Sequence, residues 1–254
     1  MQEHYTSNDE GQRLLRSGHG RLELERMREL FGRFLPTPPA SVYDVGGGTG
    51  IHAAWLAEQG FQVHLLDPVP RHVAAASVHG TFTASVGDAR SLPAHHGSVD
   101  AVLLLGPMYH LVTRADRQAA LAEALRVLRP GGVVMAAAIS RFMALLDWGA
   151  SGGLTEEVAA RLEPVIATGD HDPCLGFTDV YFHLPDELRE EVEAAGVQAV
   201  QVLGIEGPLW TAVDAGGGSD ELFEGALRAA RMTETESSLL GANPHLLAVG
   251  TSAP

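Results

Sequence analysis

The chain has 254 residues, 45% of them hydrophobic, which supports one large domain with a real hydrophobic core. Its formal net charge of −15 repels a phosphate backbone, so a nucleic-acid substrate is not expected. Every basic residue is an arginine, and the absence of lysine excludes Schiff-base chemistry, a pyridoxal phosphate linkage and the lysine of a P-loop. The single cysteine, Cys174, excludes an internal disulfide framework.

The first 20 residues lack the charged-then-apolar layout of a signal peptide. Apolar runs stay below the length of about 18 residues that a membrane span needs. From these features we expect a soluble, cytoplasmic protein with no membrane association.

The predicted elements begin with an amphipathic helix over residues 21–35, which ends at the proline-rich stretch 36–39. Strands and helices then alternate up to Ser140. The strands are predicted at 41–45, 61–67, 81–88, 99–106 and 133–139, and the helices at 51–59, 70–78 and 114–128. Alternation of near-continuous apolar strands with helices of this length predicts a parallel sheet with helices on both faces.

This rhythm breaks after Ser140 and resumes with a helix at 185–196, a strand at 197–205, a helix at 221–234 and a last strand at 245–251. We therefore expect an N-terminal helical lid at residues 1–38 and a core at residues 39–254 with an insertion at 141–183. The insertion carries a set of large apolar side chains that either line an acceptor pocket or form a small core of their own: Phe142, Met143, Trp148, Phe177, Tyr181 and Phe182.

The stretch "VYDVGGGTGIHAAWLAEQG" (42–60) places a glycine-rich turn between a strand and a helix, where backbone amides can approach a ligand closely. Its glycines, Gly46, Gly47, Gly48 and Gly50, do not fit the G-x-G-x-x-G spacing of dinucleotide sites. They do fit Asp44-x-Gly46-x-Gly48-x-Gly50. This pattern resembles the opening motif of class I S-adenosylmethionine-dependent methyltransferases, although Asp44 in the helix-capping role stays an alternative.

Four further segments resemble that family in order and spacing: "LLDPVP", "GDARSLP", "VDAVLLLGPMYHL" and "ALRVLRPGGVVMAA". The resemblance covers residues 40–140 and implies a Rossmann-like α/β fold with a seven-stranded, mostly parallel sheet and an antiparallel last strand. It also implies cofactor contacts. Asp67, beside Pro68, would accept both ribose hydroxyls; Asp88 would accept the adenine amino group, with the Ala89 amide on a ring nitrogen; and Leu105 and Gly106 would lie under the reacting methyl. Turn initiation by Asp67 and Asp88 is the structural alternative.

Arg21, at the start of the first helix, is the candidate partner for the methionine carboxylate of the cofactor. An exposed arginine without that role is the alternative. In the family, an N-terminal helix often crosses the cofactor.

His110 follows the fourth strand, where the transferred methyl should emerge, and is the first candidate for a base or acceptor-orienting group. Tyr109 is expected to stack on the cofactor or the acceptor, or simply to pack. Gly106 stands where nucleobase N-methylating relatives carry Asp or Asn, which argues against a nucleobase acceptor. The stretch "MYHL" is similar to the same region of quinone-biosynthesis-type methyltransferases. The structural alternative is that His110 hydrogen-bonds to the backbone at the start of a helix. His183 and His245 rank second as catalytic candidates.

The short-range spacing of the histidines matches no metal motif, so no metal is expected. The expected reaction is methyl transfer from S-adenosylmethionine to oxygen or nitrogen of a small organic acceptor, which leaves S-adenosylhomocysteine. A non-methylating enzyme on the same cofactor and a non-catalytic activating subunit remain alternatives. A monomer or homodimer is expected.

Overall fold

The computed structural model describes residues 14, 17–172, 179–215 and 219–254. Its centre is a β-sheet whose main path runs in the order β3-β2-β1-β4-β5-β8-β7. The strands are β1 (Ser41–Val45), β2 (Gln62–Asp67), β3 (Thr83–Val86), β4 (Val99–Leu104), β5 (Leu128–Ser140), β6 (Phe182–His183), β7 (Gln198–Gly204) and β8 (His245–Thr251).

Helices cover both faces of this sheet. They are α1 (Gly18–Phe34), α2 (Ile51–Glu58), α3 (Pro70–Ser77), α4 (Pro107–His110), α5 (Arg114–Val127), α6 (Met143–Ala150), α7 (Glu156–Thr168), α8 (Pro185–Ala194), α9 (Trp210–Ala215), α10 (Asp220–Thr233) and α11 (Ser237–Leu240).

The strand directions confirm the predicted topology. Strands β1 to β5 pair in parallel, whereas β8 runs antiparallel to both β5 and β7. The short strand β6, which the sequence pattern did not predict, adds to β5 through the pairs Ile139↔Phe182 and Ser140↔His183. Because β8 is antiparallel, its first residue lies at the same sheet edge as the last residues of the parallel strands.

Neighbouring residues of β4 alternate between two hydrophobic clusters, as the two-residue period of a strand requires. Val102 and Leu104 pack with residues of α5 and α8, such as Leu121 and Leu188. Ala101 and Leu103 pack on the other face with residues of α1 and α2, among them Leu30, Phe31 and Leu56. The sheet is therefore buried on both faces, which explains the near-continuous apolar strands.

Helix α1 starts where the Ser17 hydroxyl accepts the Gly20 N–H at 3.1 Å, and it ends just before the proline-rich stretch. Its residue Leu22 packs against Trp210 and Phe223, from α9 and α10. The Arg26 side chain donates to the Ile205 carbonyl at 3.1 Å, so α1 is attached to the segment that follows β7. The rest of the predicted lid, residues 1–13, 15 and 16, lies outside the described residues, as do Cys174 and Phe177 of the predicted insertion.

No helix within residues 14, 17–172, 179–215 and 219–254 is both long enough and apolar enough to cross a bilayer.

Candidate functional site

A cavity of about 290 Å³ opens where β1, β2, β3 and β4 end. Ligands of open α/β sheets bind at this edge, where the strand order reverses between β1 and β4. The described lining residues are Leu14, Glu23, Asp44, Val45, Gly46, Gly47, Gly48, Thr49, Ile51, His52, Leu66, Asp67, Pro68, Val69, His72, Gly87, Asp88, Ala89, Arg90, Leu105, Gly106, Pro107, Tyr109, His110 and Leu111.

The glycines of the first turn are needed for different physical reasons. Gly48 has a φ of +58°, and a Cβ built on it would meet no atom within 4 Å, so its bare backbone faces open space. At Gly46 the same Cβ would lie 2.9 Å from Pro107, and at Gly47 it would lie 2.6 Å from an Asp44 carboxylate oxygen. Gly48 is therefore the position where a ligand can approach the backbone, whereas Gly46 and Gly47 allow close packing inside the protein.

Gly50 precedes α2 in a left-handed conformation, with a φ of +87°. A Cβ there would lie 2.6 Å from the ring of Phe82, so the position needs glycine for two reasons. The first turn of α2 has no side-chain cap, and its residues Ile51 and His52 line the cavity. The helix start thus presents backbone N–H groups and the positive end of a helix dipole to a ligand.

Asp44 is the most deeply buried acidic residue of the cavity wall, with 1% exposure. Neither oxygen of its carboxylate has a hydrogen-bond partner within the described residues. Burial, and after it the neighbouring Asp67 carboxylate, raise the pKa of Asp44 to about 7. A positively charged ligand in the cavity would favour the ionised form of this side chain.

Asp67 ends β2 and shapes the turn around it. One carboxylate oxygen accepts the Gly48 N–H at 2.9 Å, and the other accepts the Val69 N–H at 2.9 Å and lies 3.1 Å from Nδ1 of His72. The first oxygen keeps room for a further donor, because a carboxylate oxygen has two acceptor positions, whereas the second already has two partners. The side chain therefore fixes the glycine turn and also lines the cavity, beside Pro68.

Asp88 is half exposed at the rim of the cavity and is paired with Arg90. The Arg90 guanidinium lies 2.7 Å from Asp88 and also 2.7 Å from Asp116, at the start of α5. Hydrogen bonds from Arg90 hold the pKa of Asp88 below its ordinary value. The residue is thus ionised at neutral pH, and the predicted adenine contact would share it with an arginine.

Residues 42–132, which contain all of these strand ends, match the family model described as a methyltransferase domain. This segment is a methyltransferase domain, which supports the class I S-adenosylmethionine-dependent family that its motifs resemble. It is 40% identical over 100 residues to the uncharacterized methyltransferase Rv3342 of Mycobacterium tuberculosis, a match that covers 39% of each chain. The chain thus spans about two fifths of the length of the first curated relatives that it matches.

Two longer matches extend beyond that segment. The chain is 27% identical over 177 residues to a ubiquinone biosynthesis O-methyltransferase of Methylobacterium, covering 67% of this chain and 64% of the relative. The fold resembles that of a putative methyltransferase of Haloferax volcanii solved in complex with the Trm112 methyltransferase activator. That pair has a TM-score of 0.61 and 20% identity, with 93% of both chains covered. This last likeness concerns the fold alone.

Two residues of α1 differ in their relation to the methyltransferase cavity. Arg21 is exposed, its guanidinium lies 4.4 Å from the centre of the Phe223 ring, and it is not among the described lining residues. Glu23, two residues on, does line the cavity. The predicted contact of Arg21 with the cofactor carboxylate stays a prediction, and the structure places Arg21 against α10 instead.

Tyr109 and His110 form the end of the short helix α4 at the cavity mouth. Their rings lie 4.6 Å apart between centres, and both line the cavity. The Tyr109 carbonyl accepts the Tyr181 N–H at 2.9 Å, which ties α4 to the predicted insertion. Both residues are therefore placed where the sequence predicted them, at the end of the fourth strand, and their catalytic roles stay predictions.

A second, smaller cavity of about 110 Å³ lies on the side of the predicted insertion. Its described lining residues are Ile139, Met143, Ala144, Asp147, Trp148, His171 and Phe182. Tyr109 lines the first cavity and packs on a cluster that contains Ile139 and Phe182 of the second. Of the six side chains expected to line a pocket, Met143, Trp148 and Phe182 line this one, whereas Tyr181 lies against the Arg117 guanidinium.

A buried ionic network holds the segment that follows α4. Arg117, 3% exposed, contacts both oxygens of Glu191 at 3.0 and 3.1 Å and donates to the Leu111 and Val112 carbonyls at 3.0 and 2.8 Å. Nε2 of His183 lies 3.0 Å from the same carboxylate. Burial raises the pKa of Glu191, but His183 and Arg117 more than offset this and hold it below the ordinary value. His183 is thus a structural partner of Glu191.

Sequence reasoning missed two cavity residues that a closer look at spacing would have found. Glu23 precedes Met27 by four positions and Leu30 by seven, so it shares the buried face of α1. Arg90 follows Asp88 by two positions, a spacing at which aspartate commonly accepts the backbone N–H in a turn, and it does so here at 2.9 Å.

Proposed function

We propose that this methyltransferase binds S-adenosylmethionine in the 290 Å³ cavity and transfers its methyl group to oxygen or nitrogen of a small organic acceptor. One observation carries the proposal. A single cavity joins the open backbone of Gly48, the carboxylates of Asp67 and Asp88, and the pair Tyr109 and His110. A nucleoside on the first two groups would direct its reactive end toward the last pair.

The charge of the cavity supports a cationic cofactor. Among the described lining residues, Glu23, Asp44, Asp67 and Asp88 carry carboxylates, and Arg90 is the one arginine. Arg90 is itself held by Asp88 and Asp116. A sulfonium cation gains from this excess of negative charge, whereas a ligand with several phosphates would be repelled.

The chemistry requires alignment rather than covalent help from the protein. The lone pair of the acceptor atom forms the new bond to the methyl carbon, the carbon–sulfur bond breaks, and its electron pair stays on sulfur. A cavity that fixes the three atoms in line supplies most of the acceleration. His110 would take the proton that the acceptor loses, and Tyr109 would flank the reacting groups.

The lid and insertion are proposed to close the acceptor side. Leu14 and Glu23 line the cavity from the N-terminal region, which agrees with a lid at residues 1–38. The insertion at 141–183 contributes β6 and contacts Tyr109 from the other side. These two regions would enclose the acceptor, and exclusion of water would follow from their closure.

Cofactor binding is tested by calorimetric titration of S-adenosylhomocysteine into the protein and into Asp67→Ala. The substitution removes the acceptor of the Gly48 N–H and a cavity carboxylate, so we expect affinity to fall by about tenfold or more. Glu236→Gln, an exposed carboxylate far along the chain, is the control and should bind normally. Equal affinity of wild type and Asp67→Ala would remove Asp67 from the site.

Methyl transfer is tested with cofactor carrying a labelled methyl group and a panel of small hydroxyl and amine acceptors. Labelled product is expected, and His110→Ala should lower turnover far more than cofactor affinity. Binding of the cofactor without labelled product from any acceptor would favour the two alternatives, a non-methylating enzyme or an activating subunit. Light scattering on the same samples tests the predicted monomer or homodimer.

A further inference from the structure

Three side chains that are distant in the sequence meet beside the methyltransferase cavity. Glu206 follows β7, His245 begins β8, and Glu23 lies in α1. One carboxylate oxygen of each glutamate and one ring nitrogen of the histidine all lie within 4.8 Å of one another. The antiparallel course of β8 causes this meeting, since it brings the start of β8 to the edge where β7 ends.

The cluster is buried and closely packed. Glu206 has 0% exposure and His245 has 7%, and the side chain of Glu23 has 13%. Nδ1 of His245 lies 2.5 Å from Oε1 of Glu206 and 3.9 Å from Oε2 of Glu23. The His245 backbone N–H donates to the second Glu206 oxygen at 3.2 Å. His245 therefore contacts Glu206 through its backbone as well as through its side chain.

The partner of Glu206 differs from those of the other buried glutamates. A buried carboxylate is costly unless a cation compensates it. Glu191 has Arg117 for this purpose, and Glu234 has Arg26 and Arg33. Within the described residues, the salt-bridge partner of Glu206 is His245. The fully buried Glu206 thus relies on a histidine rather than on an arginine, and an imidazole is a group that can itself ligate a metal ion.

We propose that Glu23, Glu206 and His245 bind a divalent metal ion at the wall of the cofactor cavity. Two carboxylates and one imidazole form a donor set that suits Mn²⁺ or Zn²⁺. Short-range spacing cannot reveal such a site, because its ligands are supplied by α1, the end of β7 and the start of β8.

The distances between the ligand atoms are close to those of a metal site. Nδ1 of His245 and Oε1 of Glu206 lie 2.5 Å apart. Ligands held about 2.1 Å from one ion lie about 3 Å apart, so binding of an ion would separate these two atoms by a few tenths of an ångström.

The position of Glu23 connects the metal site to the reaction. Glu23 lines the cavity, so an ion bound to it would lie at the wall of the space where an acceptor would bind. An ion there would take the oxygen of a hydroxyl acceptor as a further ligand and ease the loss of its proton. This last step rests on the proposed function and narrows the acceptor class to hydroxyl compounds, while the metal site itself does not depend on it.

The test is a titration of chelator-treated, buffer-exchanged protein with Mn²⁺, followed by the electron paramagnetic resonance signal of the free ion, and with Zn²⁺ by calorimetry in two buffers of different ionisation enthalpy. We expect saturable binding of one ion per chain. Affinity should fall by about tenfold or more in Glu206→Gln, His245→Gln and Glu23→Gln. Glu236→Gln, an exposed carboxylate at the start of α11, is the control and should bind like wild type.

Absence of saturable binding to wild type, or equal binding to wild type and Glu23→Gln, would overturn the proposal. Glu23→Gln protects the test against loss of folding, because this side chain is only partly buried and lies outside the sheet. Titration of the chelator-treated protein with S-adenosylhomocysteine separates the two proposals. Cofactor binding without metal binding would leave the proposed function intact and refute the metal site; metal binding without cofactor binding would do the reverse.

Discussion

Two buried glutamate–histidine pairs lie within the described part of the chain, and they differ in the charged side chains next to them. In the α5–α8 pair, Glu191 contacts His183 and is also held by the Arg117 guanidinium at 3.0 Å. In the pair beside the cavity, Glu206 contacts His245, and Glu23 lies 3.9 Å from the same ring. The first pair therefore has an arginine beside it, whereas the second has a further carboxylate.

This difference separates structural from functional ionic groups in the same fold. The α5–α8 pair holds the segment after α4 through the bonds from Arg117 to the Leu111 and Val112 carbonyls. The cavity wall also contains Asp44, whose pKa is raised to about 7 by burial and by Asp67. Carboxylates gathered in this way at a cavity mark a place where a cation is expected to bind.

Removal of the cation from the α5–α8 pair should have the largest effect on stability. Arg117→Met leaves the Glu191 carboxylate buried without its arginine, so the free energy of unfolding should fall by about 3–5 kcal/mol. Urea unfolding followed by circular dichroism measures this change. Arg33→Gln is the control: its guanidinium is 44% exposed in its contact with Glu234, and its loss should cost less than about 1 kcal/mol. Equal losses in both variants would refute the distinction.

Removal of the charge of Asp44 should have an intermediate effect that depends on pH. The native carboxyl ionises near pH 7 and the unfolded one near pH 4, so the native state binds more protons between these values and wild-type stability falls as the pH rises through that window. Asp44→Asn lacks this slope. Between pH 5 and pH 8, its stability relative to wild type should therefore rise by roughly 2–3 kcal/mol.

Urea unfolding at several pH values checks the prediction for Asp44. Asp88→Asn is the matched control, since Asp88 also lines the cavity but has a pKa lowered by Arg90. Its carboxyl is ionised in both states above about pH 5, so its stability relative to wild type should not change across the same range. Parallel pH profiles for wild type and Asp44→Asn would show that Asp44 is compensated in solution.

The fold was predictable from sequence because its signals are local. The helix predicted at 114–128 is Arg114–Val127, and the last strand predicted at 245–251 is His245–Thr251. The fifth strand, predicted at 133–139, is longer because Leu128 pairs with Val99 beyond an irregularity in the register. The third, predicted at 81–88, is shorter and covers only Thr83–Val86. Ends of strands depend on partners that no local pattern contains.

The residues of the candidate site also differ in how local their signals are. The glycine turn, Asp67, Asp88 and the pair Tyr109 and His110 lie at or shortly after strand ends, so local motifs predict their position at the cavity. The choice of Arg21 over Glu23 depended on which face of α1 meets the cavity, and residues two positions apart on a helix point about 200° apart. The meeting of Glu23 with Glu206 and His245 depends on the path of the whole chain and has no short-range signal.

Removal of one carboxylate from the cavity wall should have the smallest effect on stability. In chelator-treated protein, Glu23→Gln should change the free energy of unfolding by less than about 1 kcal/mol, because its contact with His245 is 3.9 Å long and the substitution keeps the shape of the side chain. The same substitution in the other pair, Glu191→Gln, leaves Arg117 without its anion and should cost about 3 kcal/mol or more. Urea unfolding at pH 7.5 compares the two. A loss in Glu23→Gln as large as that in Glu191→Gln would contradict the distinction between the two pairs.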